Sequence, residues 1–332
     1  MYESANVAKT RHSVRVDRCL FTNMNNSADT DTENYALSLY IQASDFHIEN
    51  CLFQDNYNIG GIRVSFIDDD MQGDTSGNSQ TSSNMGAPIG RIINCEFENI
   101  AQGTVMMIVS QNDVFSSDDI PYVTLQGNVF VGNTPLDSSN VIEFSGVYCD
   151  ILSNIIFNND GGRVIALEQA NLPFRYQDFT GNLIRYNIGH DHDDINEKYT
   201  MELRSNGVQF HNNVIHNPVN EYEINAVSSA EQSDTEVEII NATQNWWGTR
   251  SSFQIRNRLR DADQVLGLAD VIFEPFLLSA QSFQNCKYSN GKADFVERSC
   301  DAKDCEWMIS LSHNLTHVVL IVRFLNVSNS DT

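Results

Sequence analysis

Apolar and polar residues alternate along this chain in short runs and not at helical spacing. Leu37-Ser38-Leu39, Ile62-Arg63-Val64, Ile142-Glu143-Phe144, Met201-Glu202-Leu203 and Ile224-Asn225-Ala226 each set apolar residues two apart, the period of a strand with one buried face. None is long enough for the three- and four-residue spacing of an amphipathic helix.

Between these runs a three-residue word recurs: Cys19-Leu20-Phe21, Cys51-Leu52-Phe53, Cys95-Glu96-Phe97, Asn128-Val129-Phe130, Asn154-Ile155-Ile156, Asn182-Leu183-Ile184, Asn213-Val214-Ile215 and Asn245-Trp246-Trp247. Its first positions lie 32, 44, 33, 26, 28, 31 and 32 residues apart. If the words are equivalent stations of a repeating turn, other columns should also hold one class of residue. Three places before each anchor stand Val16, Ile48, Ile92, Leu125, Ile151, Phe179, Phe210 and Ala242, and two places after stand Phe21, Phe53, Phe97, Phe130, Ile156, Ile184, Ile215 and Trp247, all apolar.

Short strands at a period of roughly 30 residues, with no helices between them, predict an all-β fold, a parallel β-helix of about eight turns. Identical columns then become ladders along the axis, with neighbouring turns paired about 4.8 Å apart. The anchor column, three Cys and then five Asn, is expected at a corner. Asn tolerates the left-handed backbone a corner needs and stacks its amides, and Cys fills the same place as a small buried residue. The longest spacing contains Asp68 to Gly86, polar and without period, expected as a loop projecting from one turn.

The ends divide the chain further. Residues 1–13 precede the first strand, 14–249 carry the repeats, and 250–279 read as a carboxyl-terminal cap. In that cap Ser251-Ser252 opens a short helix toward Phe253, Ile255 and Leu259, and Val271-Ile272-Phe273 and Pro275-Phe276-Leu277 follow as extended segments. The amino end shows no comparable cap and no hydrophobic signal region, which reads as a piece of a longer protein or an incomplete gene model. Residues 280–332 break the repeat and bring in Cys286, Cys300 and Cys305, without zinc spacing. Val318 to Val322 is too short to span a bilayer.

Charge narrows the partners. The 332 residues carry 44 acidic against 20 basic side chains, a net charge of −24, which excludes a phosphate-binding surface for nucleic acid and disfavours anionic membranes. With 41% hydrophobic residues the acidity belongs to a folded surface and not to a disordered chain.

Candidate chemistry falls on outward positions, among them Arg63, Glu143, Glu168, Glu202 and Arg204. A polysaccharide lyase needs a base and a cation, and a hydrolase needs two carboxyls across a bond. Glu143 and Glu202 fall two turns apart, so a solvated acidic face is the expectation. His190, Asp191, His192, Asp193 and Asp194 form the densest metal-ligating word, able to offer imidazoles to Zn²⁺ or carboxylates to Ca²⁺. No catalytic or cofactor-binding residue is assigned, and the acidic loops could take Ca²⁺. Trp247, in the inward column, is expected to plug the end of the core and its neighbour Trp246 to lie under the cap, and Arg250, Arg256, Arg258 and Arg260 are expected to pair with carboxylates. Asn25, Asn241, Asn314 and Asn326 head Asn-x-Ser/Thr words, glycosylation acceptors in a secreted chain.

Asn241 to Thr249 (NATQNWWGT), Ile255 to Asp261 (IRNRLRD) and Val271 to Leu277 (VIFEPFL), with the Asn-x-(Ile/Phe)-x-x-Asn words, resemble the closing turns of the pectin-lyase-like right-handed parallel β-helix superfamily over residues 14–279. Among animal proteins the chain is similar to the bark beetle (anakonda) family of insect tricellular junctions. That resemblance implies a right-handed stack and a non-catalytic, extracellular segment of a membrane-anchored protein that contacts junctional proteins. The alternatives are a carbohydrate-active β-helix enzyme and a Ca²⁺-dependent binding module.

Overall fold

Identical columns can form ladders only if the turns stack in parallel and in register, and the computed structural model of the chain has that arrangement. It describes residues 13–25, 34–41, 44–67, 87–110, 120–136, 139–169, 172–190, 198–204, 207–228, 238–280, 294–297 and 307–310. Two units divide the chain, residues 1–281 and 282–332. The first is a right-handed parallel β-helix whose three long sheets hold nine, seven and eight strands.

The first sheet pairs the column upstream of the anchors: Val16 with Ile48, Ile48 with Ile92, Ile92 with Leu125, Leu125 with Ile151, Ile151 with Phe179, and Phe179 with Phe210. The second pairs the downstream column in the same way, from Phe21 through Phe53, Phe97, Phe130, Ile156 and Ile184 to Ile215. An isolated bridge from Val214 to Trp246 extends it by one rung. The third sheet holds the alternating runs and adds Met106-Met107-Ile108, Ile165-Ala166-Leu167 and Leu259-Arg260 to those legible in the sequence.

Inward residues of the three sheets form one apolar core. Phe21, Phe53, Phe97 and Phe130 stack nearly parallel at successive centroid distances of 4.6, 5.0 and 4.6 Å. Parallel in-register strands set each ring directly above the last and permit this face-to-face geometry, although the equally paired Phe179 and Phe210 of the first sheet are tilted by 47°. Truncating a buried phenyl of this ladder to Ala costs about 3–5 kcal/mol.

One expectation needs correction. The anchors themselves do not take the left-handed conformation; the residue before each does, namely Arg18, Asn50, Asn94, Gly127, Ser153, Gly181, Asn212 and Gln244. The chain must reverse side-chain direction just before the anchor so that the anchor can point inward, and the positive φ belongs to that reversal.

At the carboxyl end of the repeats the short helix expected from Ser251-Ser252 forms. Ser251 Oγ accepts from the Gln254 N–H at 3.3 Å and starts a helix at Ser252–Arg256 that buries Ile255 on the core. Leu259 leaves the helix and joins the third sheet, and Asp270–Ile272 becomes the ninth strand of the first. The second unit contributes one described feature, an antiparallel pair of Asp294–Glu297 with Trp307–Ser310. The Asp68 to Gly86 loop, the Val318 to Val322 run and Cys286, Cys300 and Cys305 lie outside the described residues.

Candidate functional site

The buried anchor column is a polar seam inside an apolar core. Each amide offers two N–H donors and two carbonyl lone pairs, and the interior Asn residues use all four. Asn154 Nδ2 donates to Leu125 O in the turn before (3.0 Å) and to Asn182 Oδ1 in the turn after (3.1 Å). Its Oδ1 accepts the backbone N–H (2.9 Å) and the Nδ2 (3.0 Å) of Asn128. The pattern continues through Asn182 and Asn213 to Asn245, which ends it by donating to Phe210 O and Ala242 O.

A second ladder runs beside it, made by the last residue of the Asn-x-(Ile/Phe)-x-x-Asn words at Asn133, Asn159 and Asn187 and then by Asn217, which stands four residues after its anchor and not five. Asn133 donates to Asn159 (2.8 Å), Asn159 to Asn187 (2.9 Å) and Asn187 to Asn217 (3.0 Å). Its terminus is a carboxylate. Glu223, fully buried, accepts from Asn217 Nδ2 and N (both 2.8 Å) and from Thr200 Oγ1 (2.8 Å), and Arg258 from the cap neutralises it at 2.7 Å. Sequence reasoning missed Glu223 because it stands on a strand of the third sheet opposite Thr200, one place before the alternating run that begins at Ile224. Only the loop length between Asn217 and Glu223 brings it under the ladder.

Toward the amino end the anchor seam turns to sulfur. The Cys95 N–H donates to Asn128 Oδ1 (2.9 Å) and the Cys51 N–H meets Cys95 Sγ at 3.5 Å. Cys19, Cys51, Cys95 and Cys149 are free thiols. Burial pushes the Cys149 thiol well up, which keeps it un-ionised.

The outward face of the third sheet gathers the charged residues singled out in the sequence. In-register pairing puts Glu143 next to Ala166 and Ala166 next to Glu202, and Glu168 next to Arg204. The two glutamates are thus two rungs apart, roughly 9.6 Å along the axis, at the far edge of the separation an inverting glycosidase uses. Glu202 accepts from Tyr199 Oη (3.0 Å) and Asn225 Nδ2 (3.1 Å) and faces Arg163 Nε at 3.4 Å. Glu143 accepts from Asn140 Nδ2 (2.9 Å), and Glu168 lies 3.3 Å from Arg204. Burial raises the Glu168 carboxyl above its ordinary range, with Glu202 adding and Arg204 opposing. Arg63 lies against its own strand neighbours, donating to Ser65 Oγ at 3.3 Å with its guanidinium 5.8 Å from the Tyr35 ring centre.

Of the metal-ligating word, the structure places His190 alone, its Nε2 2.8 Å from Asp160 Oδ1 in the turn before. Asp191, His192, Asp193 and Asp194 lie outside the described residues. A cluster not anticipated from sequence, Asp261, Asp263 and Asp270, meets in the cap. Arg256 already supplies its cation, pairing with Asp261 and, at 3.2 Å, with Asp263, while its guanidinium covers the Phe273 ring. Trp247 sits in the inward column at 2% exposure. Arg260 donates to Asn225 Oδ1 and Arg250 to Leu278 O. Asn25 is exposed, whereas Asn241 is half-buried with its amide donating to Gln209 Oε1; Asn314 and Asn326 are outside the described residues.

No family model, no curated protein and no solved structure matches the chain. Among the described residues no helix is long and apolar enough to cross a membrane.

Proposed function

We propose that this β-helix is a non-catalytic segment of an extracellular cell-contact protein, a rigid charged post that presents its surface to other proteins. The resemblance to the bark beetle family points the same way. The observation that carries the reading is the outward face of the third sheet. Its carboxylates are already engaged by neighbouring groups, Glu202 by two hydrogen bonds and the Arg163 ion pair and Glu168 by Arg204. Such a lattice fixes the charge pattern of a surface but leaves no base and acid poised on one substrate.

The test is an assay of uronate-polysaccharide cleavage with and without Ca²⁺. No turnover is expected. Turnover that Glu143→Gln or Glu202→Gln abolishes would overturn the reading in favour of a carbohydrate-active enzyme. Calorimetry with Ca²⁺ examines the third alternative, in which heat of binding at millimolar Ca²⁺ or below would identify an ion-dependent module.

A further inference from the structure

The outward face of the first sheet carries one aromatic ladder among polar ones. Tyr122 and Tyr148 occupy paired positions on successive strands, with the aliphatic Ile89 one strand before them. Tyr176 stands at the same place in the next turn, three residues before Phe179 as Tyr148 is three before Ile151. A short arm, Leu172 to Tyr176, lies across this ladder. Tyr148 Oη donates to Pro173 O at 2.6 Å, and the Arg175 guanidinium sits 4.2 Å from the Tyr122 ring centre and 5.3 Å from that of Tyr148. Burial and a hydrogen bond to Asp150 push the Tyr122 hydroxyl well up, so the rings stay neutral beneath the cation.

The arm is pinned at its base. Gln169 and Gln177 are buried and exchange reciprocal amide hydrogen bonds of 2.9 and 2.7 Å across its neck. The next turn passes beneath at Gly207, φ +96°, where any Cβ would come within 2.2 Å of Arg175 O. What the pinned arm turns outward is apolar. Phe174 is 56% exposed and Tyr176 64%, and their rings meet edge to face at 4.9 Å with an interplanar angle of 81°.

We infer that this arm is the anchor by which the β-helix docks into a partner protein, the Phe174–Tyr176 ridge entering an apolar socket whose rim carries Lys or Arg. Four observations select that occupant. Phe, Tyr and Arg are the residue types concentrated at the energetic centre of protein interfaces. The arm is held by the Tyr148 hydrogen bond and the Arg175 ring contacts without a partner, so its docking needs little new ordering. Two rings at right angles make a ridge, whereas a sugar stacks on a flat ring face, and the flat faces of Tyr122 and Tyr148 are covered by Arg175. Asp150 and Asp178 line the adjoining column, on a chain of net charge −24, and so call for a basic rim and oppose a second copy of the same surface. The inference rests on the protein-contact reading above and gives it a location.

The test is selection of a phage-displayed random peptide library on the immobilised full chain, with depletion on a Phe174→Ser, Tyr176→Ser double variant. Both sites are exposed, and an unchanged melting temperature checks the variant's fold. Recovered peptides should join apolar residues to Lys or Arg. Made synthetically, they should bind the wild type at least about ten-fold more tightly than the double variant, with an intermediate loss for Asp178→Asn. Arg175→Ala, which frees the arm without removing its rings, should weaken binding several-fold. Peptides that bind both proteins equally, or no enrichment, would overturn the anchor while leaving the protein-contact reading standing. Loss of self-association or of glycan-array binding in the double variant would also overturn it, in favour of a second copy or a sugar. Polysaccharide cleavage by the wild type would remove the underlying reading whatever the arm does.

Discussion

The same interior column is built from amides in the upper turns and from thiols in the lower ones, and the two halves are held by different forces. Asn154, Asn182 and Asn213 join each turn to both neighbours through saturated hydrogen bonds. In Cys51 and Cys95 the corresponding contacts are long ones to sulfur, at 3.5 Å and beyond. Val16, Cys19, Phe21, Leu37 and Leu39 at that end are only partly buried. The lesson is that a fixed slot in a solenoid accepts either chemistry, but only the amide carries a polar link through the core. A thiol fills space and asks little of its neighbours.

The sharpest way to break the comparison is Asn182→Leu, which strands the Asn154 backbone N–H and one of its amide hydrogens inside the core and takes one donor each from Ile151 O and Asn213 Oδ1, the latter keeping the backbone N–H of residue 182. With each unmet buried group costing about 1–3 kcal/mol, a loss of about 5 kcal/mol is expected in denaturant unfolding. Next is the end of the second ladder. Arg258→Met leaves the Glu223 carboxylate buried without its cation, an expected loss of about 3–5 kcal/mol. Restoration by Glu223→Gln in the same chain would show that the charge and not the packing was at fault.

Cys51→Ala tests the thiol half. It should cost only about 1 kcal/mol, the price of a small cavity, and a loss as large as that of Asn182→Leu would erase the distinction between the halves.

The smallest effect is a pH slope. Burial holds His216 below its ordinary 6.5, Arg185 and Arg258 add to this, and Glu223 opposes it. The unfolded chain therefore takes up the proton first. The neutral ring contributes stability that is fully present above pH 6.5 and is lost as pH falls through the lower folded value. Melting temperature measured from pH 8 to pH 5 should decline less in His216→Gln than in the wild type, and parallel curves would discount the imidazole.

How much was legible in the sequence differs between the core and the surface. Aligning Cys19 with Asn245 was enough to give the rungs of the second sheet, because a parallel stack places like stations over one another. The outward run Glu143, Glu202 was likewise readable as two rungs apart. Arg163, Asn140 and Tyr199, which engage those glutamates, were not, because they reach the column from flanking segments. The positive-φ residues were misplaced by one position for a related reason. Sequence shows which residue is kept in a column, while backbone direction decides which neighbour absorbs the turn.

By itself, then, the sequence determined the repeat, the inward ladders and the Ser251 cap, since each follows from periodicity and local propensity. Tertiary structure alone decided that Glu223 ends an asparagine ladder against Arg258, and that Arg175 lies over Tyr122 and Tyr148 to leave Phe174 and Tyr176 outward. Those arrangements depend on loop lengths that vary from turn to turn, and no period records where a loop of a given length returns.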